Sequence, residues 1–154
     1  MKAKQRRGGF TLIEVLIVVV IMAVLAATII PQFTSSAKDA RESSAKFNLH
    51  TLRSTIDMYK LHHRGVLPAA DKINDQLTKA TSETGTVGTP GPSFPYGPYI
   101  QGALPNNPFN NLNTVTEYTA ATAPVAADAT GTSGWLYRPA TGDIWINHAD
   151  LIAQ

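Results

Sequence analysis

From Phe10 to Ile30 the chain runs for 21 residues in which only Thr11, Glu14 and Thr28 are polar. As a helix this run would be roughly 31 Å long, the thickness of a bilayer's hydrocarbon layer. Its many Val and Ile residues are mediocre helix formers in water. In lipid a lone spanning segment must satisfy its own backbone hydrogen bonds, so it becomes helical regardless. Residues 10–30 are therefore expected to form a transmembrane helix.

Charge sits unevenly around that run. Lys2, Lys4, Arg6 and Arg7 precede it and account for four of the 13 basic residues, leaving nine against 11 acidic ones in the remainder. The basic pI thus belongs to a leader of residues 1–9. No basic patch interleaved with aromatic residues suggests nucleic-acid binding elsewhere. Four cations ahead of an apolar span hold that end in the cytoplasm and send the C-terminal part across the membrane. With no cysteine, neither a disulfide framework nor a thiolate metal site can form.

After Pro31 the pattern becomes amphipathic. Ala45, Leu49, Leu52, Ile56 and Tyr59 recur at alternating intervals of four and three, one stripe on a 3.6-residue helix. Lys60, His62, His63 and Arg64 suit the negative end of a helix dipole, and Gly65 followed by Pro68 marks the stop. Residues 31–64 are expected to continue the same helix, with His62 and His63 as a solvated terminus. Adjacent helical residues point about 100° apart, which argues against a metal pair there.

Residues 65–154 read as a loop-rich domain. Asp71–Thr81 is expected to hold one short helix. The Gly- and Pro-rich stretch Gly85–Gly97 is not expected to form a regular element. The Ala- and Thr-rich stretch Thr119–Thr132 is expected to be weakly ordered. Trp135-Leu136-Tyr137 and Ile144-Trp145-Ile146, joined across Pro139–Gly142, read as a terminal hairpin within Gly134–Asn147.

The junction Gly8-Gly9-Phe10-Thr11-Leu12-Ile13-Glu14 admits three readings: a secretory signal cleaved near Ala26 or Ala27, a plain anchor with an incidental Glu, or a processing signal. The segment resembles the class III signal of type IV pilins and type II secretion pseudopilins, with a basic leader ending in glycine, then Phe-Thr-Leu-Ile-Glu and a long apolar run. The resemblance implies cleavage between Gly9 and Phe10 by a prepilin peptidase and N-methylation of Phe10. Glu14 matches the family's acidic position, which with Phe10 serves assembly, and Pro31 matches the proline that breaks the family's long helix. The carboxylate would lie about one turn into the bilayer, where a neighbouring subunit's positive N-terminus is a natural partner. In the tail, Tyr96-Gly97-Pro98-Tyr99-Ile100, Leu104-Pro105 and Gly134-Trp135-Leu136-Tyr137 are similar to segments of the major pseudopilins.

The implied fold is α+β and pilin-like: a long N-terminal helix, transmembrane in its first half, packed on a small antiparallel sheet with long loops. The implied function is structural, a subunit of a periplasmic pseudopilus that drives type II secretion. A surface pilus fibre is the alternative, and a membrane-tethered binding module that never polymerises or an exported enzyme come from other classes. Partners implied are copies of itself, minor pseudopilins, the peptidase, an inner-membrane assembly platform and lipid, with no nucleic acid. The implied location is the bacterial inner membrane, spanned once, and then the filament. No catalytic constellation is present. Major pseudopilins commonly carry an acidic calcium site near the C-terminus. Here only Asp128, Asp143 and Asp150 are available, outside any Asp-rich loop, and no cofactor is expected.

Overall fold

The computed structural model describes residues 9–153. The elements are α1 (Leu12–His62), α2 (Ile73–Thr78), β1 (Ala80–Thr81), β2 (Val87–Gly88), β3 (Val115–Glu117), β4 (Trp135–Arg138) and β5 (Asp143–Ile146), with a 3-10 turn at Ala126–Asp128. The chain divides into two compact units between residues 40 and 41.

In the first unit every side chain described is exposed. Its large apolar side chains are among those exposed, and α1 carries a stretch long and apolar enough to cross a membrane. The break expected at Pro31 is not an end of the helix, because α1 continues through that position. Proline removes one backbone donor, which a helix can survive when the turns on either side remain bonded. Nearby hydroxyls bond back to the ladder: Thr28 Oγ1 donates to the Leu25 carbonyl at 2.9 Å and Thr34 Oγ1 to that of Ile30 at 3.2 Å. Back-bonding of this kind tends to bend a helix slightly rather than end it.

The second unit is built on the stripe that the sequence spacing predicts. Ala45, Leu49, Leu52, Ile56 and Tyr59 are at most 3% exposed and meet Ile73, Leu77, Leu104, Trp135, Tyr137, Ile144, Ile146 and Leu151 in one core. The terminal hairpin forms as β4 and β5, antiparallel with Trp135 opposite Ile146 and Tyr137 opposite Ile144. The turn between them closes on Gly142, whose φ of +84° favours a residue without a Cβ. Leu136 and Trp145 point to the other face and pack with Ile152, Tyr118 and Ala129. With both faces covered, the strands read as apolar runs rather than as alternating residues.

Three buried side-chain donors in this core are paired, whereas Tyr59 Oη has no hydrogen-bond partner among the described residues. Trp135 Nε1 donates to the Pro105 carbonyl at 2.9 Å, Tyr137 Oη to that of Pro68 at 3.0 Å, and Asn107 Nδ2 to that of Gly134 at 3.0 Å. These bonds tie loops to the hairpin at little net cost, since an unmade buried bond is expensive.

Four expectations need correction. The sheet is mixed: β3 pairs parallel with β4, Val115 opposite Trp135 and Glu117 opposite Tyr137. Residues 118–134 are long enough for the crossover that a parallel pair requires. The short helix is confined to Ile73–Thr78, and the end of the expected span pairs as β1. Within Gly85–Gly97, Val87–Gly88 does form a strand against β1, and Thr81 exchanges two backbone bonds with Tyr96 at 2.8 and 3.2 Å. Gly88 fits because its α-carbon lies under the Phe94 ring, where a Cβ would come within 2.5 Å of ring atoms. Finally, Thr119–Thr132 is anchored, through the 3-10 turn and through contacts to Arg138.

Gly134 stands directly before β4, and a Cβ there would lie 2.1 Å from the backbone oxygen of Leu112. Backbone cannot yield as a flexible side chain can. Gly134→Ala is expected to destabilise the domain by about 1–3 kcal/mol, read as a lower denaturation midpoint of the full chain in detergent. An unchanged midpoint would mean that the 107–112 loop is free to move.

Candidate functional site

The processing segment can be built residue by residue. Met1–Gly8 lie outside the described residues, so the basic leader is not placed. Gly9 and Phe10 precede α1 in non-helical chain, and both are exposed, Phe10 at 89%. The Gly9–Phe10 bond is therefore accessible and lies outside the helix, which begins at Leu12.

Thr11 and Glu14 close the end of the helix. The backbone N–H of Thr11 donates to Glu14 Oε2 at 2.7 Å, and Thr11 Oγ1 donates to the same oxygen at 2.8 Å. In return, the Glu14 N–H donates to Thr11 Oγ1 at 3.3 Å. This is a capping box, which satisfies orphan N–H groups at the positive end of the helix dipole. The sequence reading missed Thr11, although Thr-x-x-Glu directly before an apolar run is the signal that would have found it. Glu14 therefore has a partner within its own chain as well as the intersubunit role expected of it.

Beyond the cap, large apolar side chains line α1 without burial, among them Leu16, Val20, Leu25, Ile30 and Phe33. In the second unit the helix face opposite the core stripe carries further exposed residues: Phe47, Met58 and Leu61.

The other end of α1 departs from expectation. His63 is 1% exposed, not solvated. Its ring stacks on Tyr59 with centroids 3.8 Å apart, its Nδ1 lies 2.8 Å from the Tyr59 carbonyl and its Nε2 3.1 Å from Thr81 Oγ1. Since a carbonyl only accepts, Nδ1 carries the proton and Nε2 accepts from Thr81. His62 Nδ1 meets the Tyr99 hydroxyl at 3.1 Å. Burial, with Tyr99 nearby, pushes the Tyr59 hydroxyl up to about 12. The histidines are thus held apart by separate partners, and the cluster locks the helix end onto β1. After it, Arg64 and Gly65 both take positive φ, and Gly65 N–H bonds back to the Lys60 carbonyl at 2.8 Å.

Residues 4–30 match the prokaryotic N-terminal methylation motif, and residues 32–130 match the family described as Type II secretion system (T2SS), protein G. The chain belongs to the type II secretion system protein G family. Among curated relatives, the type II secretion system core protein G of Pseudomonas aeruginosa is 41% identical over 58 residues, covering 38% of this chain and 41% of that protein. The Vibrio cholerae protein of the same description is 35% identical over 83 residues, 53% of this chain and 56% of its own length. The Escherichia coli protein is 37% identical over 65 residues, 41% of this chain and 45% of its own. The chain thus spans about half the length of the curated relatives it matches. No solved structure matches. In this protein G-family chain the methylation-motif match takes in Gly9, Phe10 and Glu14, and the protein G match takes in the core stripe, the short β1–β2 sheet and β3.

Proposed function

We propose that this chain is a structural subunit of a type II secretion pseudopilus, inserted in the inner membrane and assembled through α1 into a periplasmic filament. The carrying observation is one continuous arrangement: an accessible Gly9–Phe10 bond, a capped helix start at Thr11 and Glu14, and an apolar first half of α1 whose described side chains are exposed. Apolar side chains left uncovered on this scale call for lipid before assembly and for other helices after it. Membership of the protein G family supports the secretion filament over a surface fibre.

In this reading the basic leader stays cytoplasmic, a prepilin peptidase cuts between Gly9 and Phe10, and Phe10 is N-methylated. The freed amine of one subunit then pairs with Glu14 of its neighbour. Minor pseudopilins and an inner-membrane platform complete the assembly. Phe47, Met58 and Leu61 extend the apolar face into the second unit, where helix contacts between subunits continue outside the bilayer. Bending of α1 near Pro31 belongs to the same proposal, as the adjustment made when a subunit leaves the membrane.

Intact mass of the protein recovered from its native membranes tests the processing. The expected chain begins at Phe10 and carries one added methyl group. A chain retaining Met1–Gly9 would leave only a membrane anchor, and one beginning near Ala27 would be an ordinary secretory product. Deleting the gene is expected to abolish export of secreted proteins while leaving surface fibres in place. The opposite phenotype would make it a pilin.

A further inference from the structure

The loop that follows β3 is gathered around a single positive charge. Arg138 ends β4 with its side chain only 13% exposed. Its Nη1 donates to three consecutive backbone carbonyls, those of Ala120 at 3.1 Å, Ala121 at 2.9 Å and Thr122 at 3.1 Å. Nη2 donates to Asp143 Oδ2 at 2.6 Å, Nε donates to Thr141 Oγ1 at 2.9 Å, and the guanidinium lies 5.0 Å above the Trp145 ring. Carbonyl oxygens converging beside a carboxylate are the ligand set a hard divalent cation takes.

Of the three carboxylates available near the C-terminus, Asp143 and Asp128 are committed to protein donors. Asp143 Oδ2 also accepts from Thr141 Oγ1 at 2.5 Å, and Arg138 first, then Thr141, holds this carboxyl below its ordinary range. Asp128 Oδ2 accepts from the Val125 N–H at 2.8 Å and from the Tyr118 hydroxyl at 3.2 Å, which starts the 3-10 turn. Asp150 is exposed beyond β5, next to the buried Leu151 and Ile152. Among the described residues no three acidic or histidine side chains converge. The residues present therefore do not fit a divalent ion.

We propose that the Arg138 guanidinium is the cation that organises the loop between β3 and β4, so that this chain folds and holds that loop without calcium. A guanidinium suits the task. Its planar fork keeps donors aimed at carbonyls on one side and at Asp143 on the other, while its face stacks on Trp145. Lysine could supply the charge but not that geometry. A divalent ion would have to displace the guanidinium, or sit beside it against repulsion between like charges.

The test uses the full chain in detergent, melted in EGTA and again in 1 mM calcium chloride. The expected melting temperatures agree to within about 1 °C. An ion present at a hundred times its dissociation constant would raise a domain of this size by roughly 5–10 °C, and a shift of that kind in the wild type would overturn the proposal. This comparison needs no variant. Arg138→Gln then probes the clamp by limited proteolysis, again in EGTA. Cleavage within residues 119–125 is expected to accelerate by about 10-fold or more, because losing charged hydrogen bonds opens the loop. A loop as resistant as in the wild type would show that Arg138 does not hold it.

Discussion

Glu14→Leu and Glu14→Gln are both expected to insert, to be cleaved at Gly9–Phe10 and to form no filaments. Insertion survives because removing a carboxylate from an apolar span favours the membrane, by less than the roughly 2.5–3.5 kcal/mol that insertion scales give at a helix centre, since Glu14 lies in the first turn. The pair of variants separates two roles that meet in one oxygen. Glu14 Oε2 accepts from both the backbone and the hydroxyl of Thr11, so the residue caps its own helix. Glutamine at this position can still close a capping box. It cannot offer a negative charge to a neighbour's amine. The Leu variant loses only the reciprocal half of the box, because Thr11 Oγ1 still accepts from the backbone N–H at position 14. Even a whole N-cap is worth only about 0.5–2 kcal/mol, too little to unmake a helix held by lipid. Filaments are counted by electron microscopy of sheared material, and processing by intact mass. Normal filaments from the Gln variant alone would assign Glu14 to capping. Normal filaments from both would remove it from assembly altogether.

Trp135→Ala is expected to have the largest effect on the second unit. The indole is fully buried between the α1 stripe and β5, and its Nε1 holds the Pro105 carbonyl. Truncation leaves a cavity worth about 3–5 kcal/mol and strips a buried carbonyl of its donor. Against a typical total of about 5–15 kcal/mol, the variant is expected to be marginal at 37 °C. The measurement is a denaturant midpoint with near-ultraviolet circular dichroism, which reports tryptophan packing. Trp145→Ala lies on the other face of the same hairpin, in a smaller cluster, and is expected to cost less. Equal losses would mean that the two faces carry the domain together.

Much of this architecture is written in local pattern. The length and polarity of Phe10–Ile30 mark a helix long and apolar enough to cross a membrane, and the spacing of Ala45 to Tyr59 names the core face residue by residue. The end of α1 near Gly65 and the hairpin across Pro139–Gly142 follow from the same kind of local chemistry. The candidate processing residues were legible too, since Gly9, Phe10 and Glu14 stand in a short contiguous motif. Thr11 carries a local signal as well, because Thr-x-x-Glu directly before an apolar run is the pattern of a capping box.

What the chain's order of residues left open was settled by contacts between distant segments. The parallel register of β3 depends on where a loop returns, and Val115–Glu117 carries no mark of its partner's direction. Val87–Gly88 became a strand because β1 offered hydrogen bonds that its own Gly- and Pro-rich surroundings could not. His63 was buried because Tyr59, Thr81 and Tyr96 came together around it. Arg138 found three carbonyls in residues 120–122 that no motif announces. Helix periodicity and caps act over three or four residues, so the sequence by itself determined the helices and their faces. Sheet pairing and side-chain clamps act across the folded chain, and only the tertiary structure could decide them.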